Sequence, residues 1–434
     1  MRKAGIIIAI VLILVLSWTV GISAFSGKER KQEIRQAREA VKRGKEQERL
    51  GAYGAVIDYY SDAISLDPTV DHYYLLAKFY QSKKKNELYE KTLQAMVEKF
   101  PSDPTAYESL ASYYESMRSY EECINMVRAA DSQKVHTKKL DQIYNQNRYH
   151  YHIVGGNYSE CNSFVSGYSQ VTYEDHQYLV NEKLELFNKE ATYTTLSPFF
   201  SDMTGVTTNK GESYFIKTNN MKYLCSEKHY SYLGGLSEGL AVAVRDNKYY
   251  YVDGTFREVY GPYEFASTMK NEVAAIKKDG KYYLIDHSGN IIGKDHYDDI
   301  KLDDYDICCN QDVIFVKKDD KYHMVDKDGE SVGKSTFEDA VPFEDDNMAA
   351  VKSKGKWGFV NNEGAVIIKP TYEEALSFSQ GLAAVKKDFY WGYINANNKM
   401  VIKPAFDKAK NFRDNMAPIL KDGFWKYIKL DVSE

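Results

Sequence analysis

What the chain lacks narrows its chemistry. Cysteine is sparse: five in 434 residues (Cys123, Cys161, Cys225, Cys308 and Cys309), with no C-x-x-C pair and no metal-ligand spacing. An odd, scattered set argues against both a disulfide framework and a thiolate zinc centre. A basic excess is missing too. The 57 Lys and Arg face 62 Asp and Glu, and a net charge of −5 gives no electrostatic reason to bind nucleic acid. There is no Walker loop, H-E-x-x-H, G-x-S-x-G or dinucleotide fingerprint, so no cofactor is expected.

One long uncharged run is present. Ala4–Phe25 holds no charged residue and follows directly on Met1-Arg-Lys. As a helix it would measure about 33 Å, enough for a hydrocarbon core of roughly 30 Å. It exceeds the apolar core of a secretory signal, and Ile22-Ser-Ala24 fits a cleavage site poorly. A single-pass transmembrane anchor over 4–25 is therefore predicted. Residues 26–50 have strong helix formers and almost no apolar stripe, and read as a charged helical stalk. The surplus of Lys and Arg after the span, from Lys28 to Lys45, would hold the C-terminal body in the cytoplasm. Interleaved glutamates (Glu29, Glu33, Glu39, Glu46, Glu48) instead make that stretch a solvated helix face. The expectation is an extracytoplasmic body, with a cytoplasm-facing tethered scaffold as the alternative.

Between 51 and 145 two stretches echo each other. LDPTVDHYYLLAKFY (Leu66–Tyr80) and SDPTAYESLASYYES (Ser102–Ser116) place Pro68 and Pro104 at matching positions. In each, Asp-Pro-Thr opens an apolar-periodic run, where proline forfeits no helical hydrogen bond. Ala63, Ala77, Ala95 and Ala111 supply small residues for helix crossings. The segment resembles tetratricopeptide repeats, at two to two and a half units. The resemblance implies stacked helical hairpins that offer a groove to a peptide or partner protein; a plain spacer is the other reading.

The rest, 155–434, repeats itself. Trp357, Trp391 and Trp425 recur at one constant interval, and Tyr249, Tyr282 and Tyr322 hold the same position upstream. Ten positions before these six lie Gly239, Glu272, Asp312, Asn347, Gly381 and Asn415. Fifteen positions after, another aromatic recurs at Tyr297, Phe337, Tyr372 and Phe406, with Tyr263 at fourteen. Ser213 and Gln177 mark two degenerate early copies, giving about eight units. Each unit reads as three short strands with a hairpin turn such as Asp328-Gly329. The fold class expected is multidomain α plus all-β: anchor helix, helical repeats, then an antiparallel array, propeller-like or solenoid-like.

Trp357-Gly358, Trp391-Gly392, Lys369-Pro370, Lys403-Pro404 and Gly381-Leu-Ala-Ala-Val385 make the array resemble the WG (KWG) repeat family. The resemblance implies a non-catalytic module, often behind an N-terminal signal or anchor. Upstream units replace Trp-Gly by Tyr-Tyr or Tyr-His and carry the likeness less far.

Candidate chemistry is thin. His150 and His152 share one side of a strand and could share a metal, but no third ligand is evident. Asp326-Lys-Asp328-Gly329 resembles the start of a calcium loop and reads better as a turn. The acidic stretch Asp298-Asp299, Asp303-Asp304 and Asp306 suggests a cation or, preferably, an exposed loop. Cys308-Cys309 reads as buried packing. Tyr250, Tyr283 and Tyr390, beside the key positions, could stack on sugar rings if exposed. The six key aromatics, with Gly239 and Gly381, are expected to be repeat frame. The function expected is a membrane-anchored, non-catalytic binding or scaffold module, its ligand a protein or a cell-surface glycan. A glycan-active enzyme using carboxylates such as Glu373-Glu374 is the alternative.

Overall fold

The computed structural model describes residues 27–434 except 175, 188–192, 201–202, 220–221 and 433–434. They form two compact units, divided between Arg148 and Tyr149.

The first unit is helical. Helix α1 (Gly27–Leu50) pairs with α2 (Tyr53–Leu66), α3 (Val70–Ser82) with α4 (Asn86–Lys99), and α5 (Pro104–Ser116) with α6 (Tyr120–Ser132); α7 (Lys138–Asn147) packs on the last pair. Both Asp-Pro-Thr signals open a helix, but in different registers, with Pro68 ahead of its cap and Pro104 after it. Thr69 caps α3 by accepting from the His72 N–H at 3.2 Å, and Asp103 caps α5 through the Thr105 N–H at 2.8 Å, with Pro104 in the first turn. The charged stretch read as a stalk is the first helix of a hairpin. Its fully buried Ala37, with Ala40, packs on Ala63, and a Cβ on Gly44 would lie 2.5 Å from the Tyr60 ring. Three hairpins therefore stack where two to two and a half were expected. Small residues drew no apolar stripe, because Ala and Gly let backbones approach without a large side chain to mark the face.

The second unit is an eight-bladed β-propeller. Six of the eight sheets have four strands, not three. In the seventh blade they are Glu374–Ala375, Leu382–Lys387, Tyr390–Asn395 and Met400–Phe406. The short inner strand carries too little periodicity to be seen in sequence. The solenoid alternative is overturned by closure. Tyr151–Tyr158 adds to the edge of the last blade, beside Phe424–Leu430, joining the start of the unit to its end. The anchor predicted at 4–25 lies outside the described residues. Among those described, no helix is long and apolar enough to cross a membrane.

Closure explains the strand chemistry. Leu382, Ala383, Ala384 and Val385 are all buried, because neighbouring blades cover both faces of the second strand. Such a strand reads as an apolar run rather than an alternation. The fifteen-position offset is a cross-strand pairing. Trp357 faces Tyr372, Trp391 faces Phe406, Tyr322 faces Phe337, and Tyr249 faces Tyr263. Tyr282 meets Tyr297 through an isolated bridge.

The Trp-Gly and Lys-Pro pairs belong to one contact. A Cβ on Gly358 would stand 2.5 Å from the Ile368 carbonyl oxygen and 2.6 Å from the Pro370 nitrogen; Gly392 meets Ile402 and Pro404 in the same way. The register shifts there between Trp357 and Phe359, so the fourth strand bulges directly over the glycine. The ten-position offset marks the turn entering the second strand. Gly239 and Gly381 sit there at φ +82° and +72°, and Glu272 and Asn415 take the same conformation.

Candidate functional site

Two places in the propeller depart from the repeat: its axis and one arc of its rim.

The axis is filled by an insertion. The stretch from Tyr297 to Val313 is longer than its counterpart from Tyr372 to Leu382. The extra length forms a loop over Leu302–Asn310. It is built around Asp303, whose Oδ1 accepts from the N–H groups of Tyr305 (2.8 Å) and Ile307 (3.0 Å), while Oδ2 accepts from Asn310 Nδ2 (3.0 Å). Its tip reaches blades on several sides of the ring. The Tyr305 hydroxyl donates to the Ser163 carbonyl in the first blade, and its ring lies 6.3 Å from Phe200 after the first strand of the second. Thr268 in the fourth blade donates its N–H to the Asp306 carbonyl (2.8 Å) and its hydroxyl to the Tyr305 carbonyl (3.0 Å). One loop touching blades one, two and four as well as six and eight must lie on the axis. The acidic stretch is thus an axial plug rather than a free loop. Asp304 and Asp306 keep their exposure to solvent, while both Asp303 oxygens are engaged within the plug.

An ion cluster ties the plug to blades six and eight. Arg413 pairs with Glu344 and lies 3.5 Å from Asp303; Asn411 Nδ2 donates to Glu344 at 2.9 Å. Burial lifts the Glu344 carboxyl to about 7, with Arg413 pulling down and Asp303 pushing up. Burial disfavours the Arg413 charge, but Glu344 and Asp303 outweigh it and hold the guanidinium above its ordinary range. Burial also pushes the Tyr305 hydroxyl upward. Lys410 Nζ reaches Asp304 at 2.9 Å and Asn162 Oδ1 at 2.7 Å. Arg413, Glu344 and Tyr305 escaped sequence reasoning. The signal that could have found them was unit length, since Tyr282 to Tyr322 is the longest step between successive key aromatics.

On the rim, each blade turns from second to third strand through a tight hairpin. Since every blade repeats one antiparallel order around one ring, these turns share a face. The residue opening the third strand is Lys248, Lys281, Lys321 and Lys356 in blades three to six. In blades seven, eight and one it is Tyr390, Phe424 and His176. Tyr390 and Phe424 are 50% and 46% exposed, and Tyr173, across from His176, is 46% exposed. Phe389 goes further. It occupies a turn position at φ +73° where blades four, six and eight have Gly280, Gly355 and Gly423, and it is 81% exposed.

The other sequence candidates fall as follows. Tyr250 and Tyr283 are half-buried, the first under the Arg245 guanidinium and the second against His296, so of the three tyrosines only Tyr390 is exposed. Trp357, Trp391 and Tyr322 are buried; Tyr249, Tyr282 and Trp425 are half-buried. His150 and His152 do converge, on Asp431: His152 Nδ1 is 2.5 Å from one carboxylate oxygen and His150 meets the other. Among the described residues no group of three or more ligands is placed to hold a metal. Asp326 Oδ1 accepts from the N–H groups of Asp328 (3.0 Å) and Glu330 (2.9 Å), which makes the calcium-like stretch a turn cap. Asn361 and Asn395 do the same in later blades. Cys308 and Cys309 are buried, and burial raises both thiols, Cys309 to about 12.

Residues 324–357, 357–388 and 391–425 match the family described as WG containing repeat. No curated protein matches the chain. Among solved structures it is similar to BamB from Moraxella catarrhalis, at 11% identity and TM-score 0.43 over 64% of this chain and 100% of that one. Hsv2 from Kluyveromyces lactis aligns at 11% and 0.37 over 62% and 97%. The Arabidopsis OM64 TPR domain aligns at 15% and 0.23 over 27% and 97%. None of these three likenesses reaches 0.5, and none carries a functional inference.

Proposed function

We propose that the chain is a non-catalytic binding module whose propeller docks a partner protein on the aromatic arc of blades seven, eight and one. The observation behind this is Phe389. A non-glycine residue at positive φ costs about 1–2 kcal/mol of backbone energy, and an exposed phenyl ring forgoes burial as well. A side chain held against both costs fits a contact that the isolated chain lacks. Projecting aromatics that fill pockets on a partner dominate the energetics of protein interfaces. Phenylalanine has no polar handle, and Phe389 stands on a convex turn tip. Both features suit a pocket on a folded protein better than a glycan, which needs flanking hydrogen-bond groups. The lysines on blades three to six supply a polar rim beside the arc.

The axial carboxylates support the non-catalytic half of this reading. Asp303 and Glu344 share Arg413, and Asp304 is held by Lys410, so these three are engaged in ion pairs rather than set against one another as a free pair. Membrane association through the uncharged residues 4–25, with the body outside the cytoplasm, is a separate part of the proposal carried by sequence alone. Protease digestion of intact cells tests it: an extracytoplasmic body is cut, a cytoplasmic one survives.

Affinity capture with the full chain and with a Phe389→Gly, Phe424→Lys variant tests the docking face. A protein held by the wild type and lost by an equally stable variant supports the reading. Identical captures by both chains, or retention on cell-wall glycan alone, would overturn it.

A further inference from the structure

A cavity of about 340 Å³ opens beside the axial plug, near the lower limit of ligand pockets. We infer that it binds a small neutral polyhydroxylated ring, the size of a monosaccharide. This site is distinct from the docking arc and does not rest on it.

Each charged side chain in its wall already has a partner of opposite sign. Lys301 pairs with Asp339 at 2.8 Å, Lys410 with Asp304 at 2.9 Å, and Arg413 with Glu344 and Asp303. A charged ligand would have to split one of these pairs and strand its partner in a half-buried site, which is strongly unfavourable. A neutral ligand leaves them intact.

The hydrogen-bonding capacity left over is mixed. Asn411, 7% exposed, belongs to the cavity wall and gives its Nδ2 to Glu344; its Oδ1 is shielded from solvent and has no partner among the described residues, so it reaches a ligand only if the side chain turns. Lys410 Nζ meets Asp304 and Asn162, which leaves one of its three protons. Lys301 is paired to one carboxylate, Asp339, and Asp304 still has an oxygen that Lys410 does not engage. Donors and acceptors alternating over one small cavity suit hydroxyl groups, each of which both gives and takes a hydrogen bond. The remaining wall includes the apolar and aromatic residues Val341, Pro342, Leu376, Trp357 and Tyr305. Such a surface suits the C–H faces of a saturated ring.

The test is calorimetric titration of the full chain with glucose, N-acetylglucosamine and myo-inositol, with sulfate and spermidine as charged comparators. Saturable binding of at least one neutral probe, absent for the charged ones, is expected. Asp304→Ala alters a half-exposed acceptor and should weaken binding about tenfold, the loss of one hydrogen bond to a charged group. Asn411→Leu, which also takes a donor from Glu344, should weaken it further, and the circular dichroism of each variant reports whether the propeller remains folded. Failure of all neutral probes overturns the inference, as does tighter binding of a charged probe. Binding untouched by Asp304→Ala in a folded variant overturns the assignment to this cavity.

Discussion

Trp425 stands opposite Tyr158 across the last strand pair of the propeller, although the two come from opposite ends of the unit in sequence. In earlier blades the key aromatic meets one that follows it by fourteen or fifteen positions. Here the partner comes instead from the beginning of the unit, on the strand Tyr151–Tyr158. Tyr158 is buried, with its ring 6.2 Å from that of Tyr427. Tyr158→Ala should therefore cost about 3 kcal/mol in urea unfolding. Tyr223→Ala, at an exposed tyrosine, should change little. Equal midpoints for the two variants would mean that closure does not depend on this pair.

The glycines of the repeat act in two ways, and substitution separates them. Gly392 has the Ile402 carbonyl oxygen 2.5 Å from where a Cβ would lie, so Gly392→Ala should lose about 1–3 kcal/mol by forcing the bulged strand away. Gly423 has open space but φ +80°, so Gly423→Ala should lose about 1 kcal/mol through backbone strain alone. Asparagine tells them apart. It tolerates the left-handed region and should rescue position 423, while at 392 its extra bulk should be worse than alanine. Denaturation midpoints in that order are expected; the reverse order would sink the distinction.

Much of this frame was legible because a repeat samples the same physics many times. The offsets of ten and fifteen recurred since each blade needs the same turn and the same facing aromatic. The inner strands did not show, because Glu374-Ala375 is too short to carry a period. The closing strand did not show either, because Tyr158 precedes the first unit instead of following the last. The axial site was hidden for a different reason. Arg413, Glu344 and Tyr305 come from three blades, and only the ring brings them together. Phe389 was visible in principle as the phenylalanine where sibling turns have glycine, asparagine or aspartate, but its meaning needed the sign of φ.

Phe389→Gly should raise stability while lowering function. The left-handed backbone cost of about 1–2 kcal/mol disappears in glycine, and at 81% exposure the ring gives up almost no packing. Greater unfolded-state entropy of glycine offsets part of the gain, so a net increase of about 0.5 kcal/mol is expected. A fall in stability would show instead that the ring makes contacts within the propeller, and the case for an external partner would lapse.

Glu344 should leave a signature in the pH dependence of stability. Burial raises its carboxyl to about 7, above an unfolded value of about 4.3, so the native chain binds this proton more tightly than the unfolded one. The contribution is fully present below the unfolded value and is lost as pH rises through about 7. Turn-capping carboxylates act elsewhere and with the opposite sign. The Asn290 side chain, with backbone N–H groups, holds Asp286 below its ordinary range, so its stabilisation is lost only as pH falls into the acid range. Between about pH 5 and about pH 8 the Glu344 slope should therefore stand clear of theirs. Glu344→Gln removes the titrating group while keeping an acceptor for Arg413 and Asn411. Urea unfolding should show wild-type stability declining across that window and a flatter profile for the variant, whatever its absolute stability. Parallel profiles would mean that Glu344 stays ionised throughout, its charge satisfied by Arg413 despite burial.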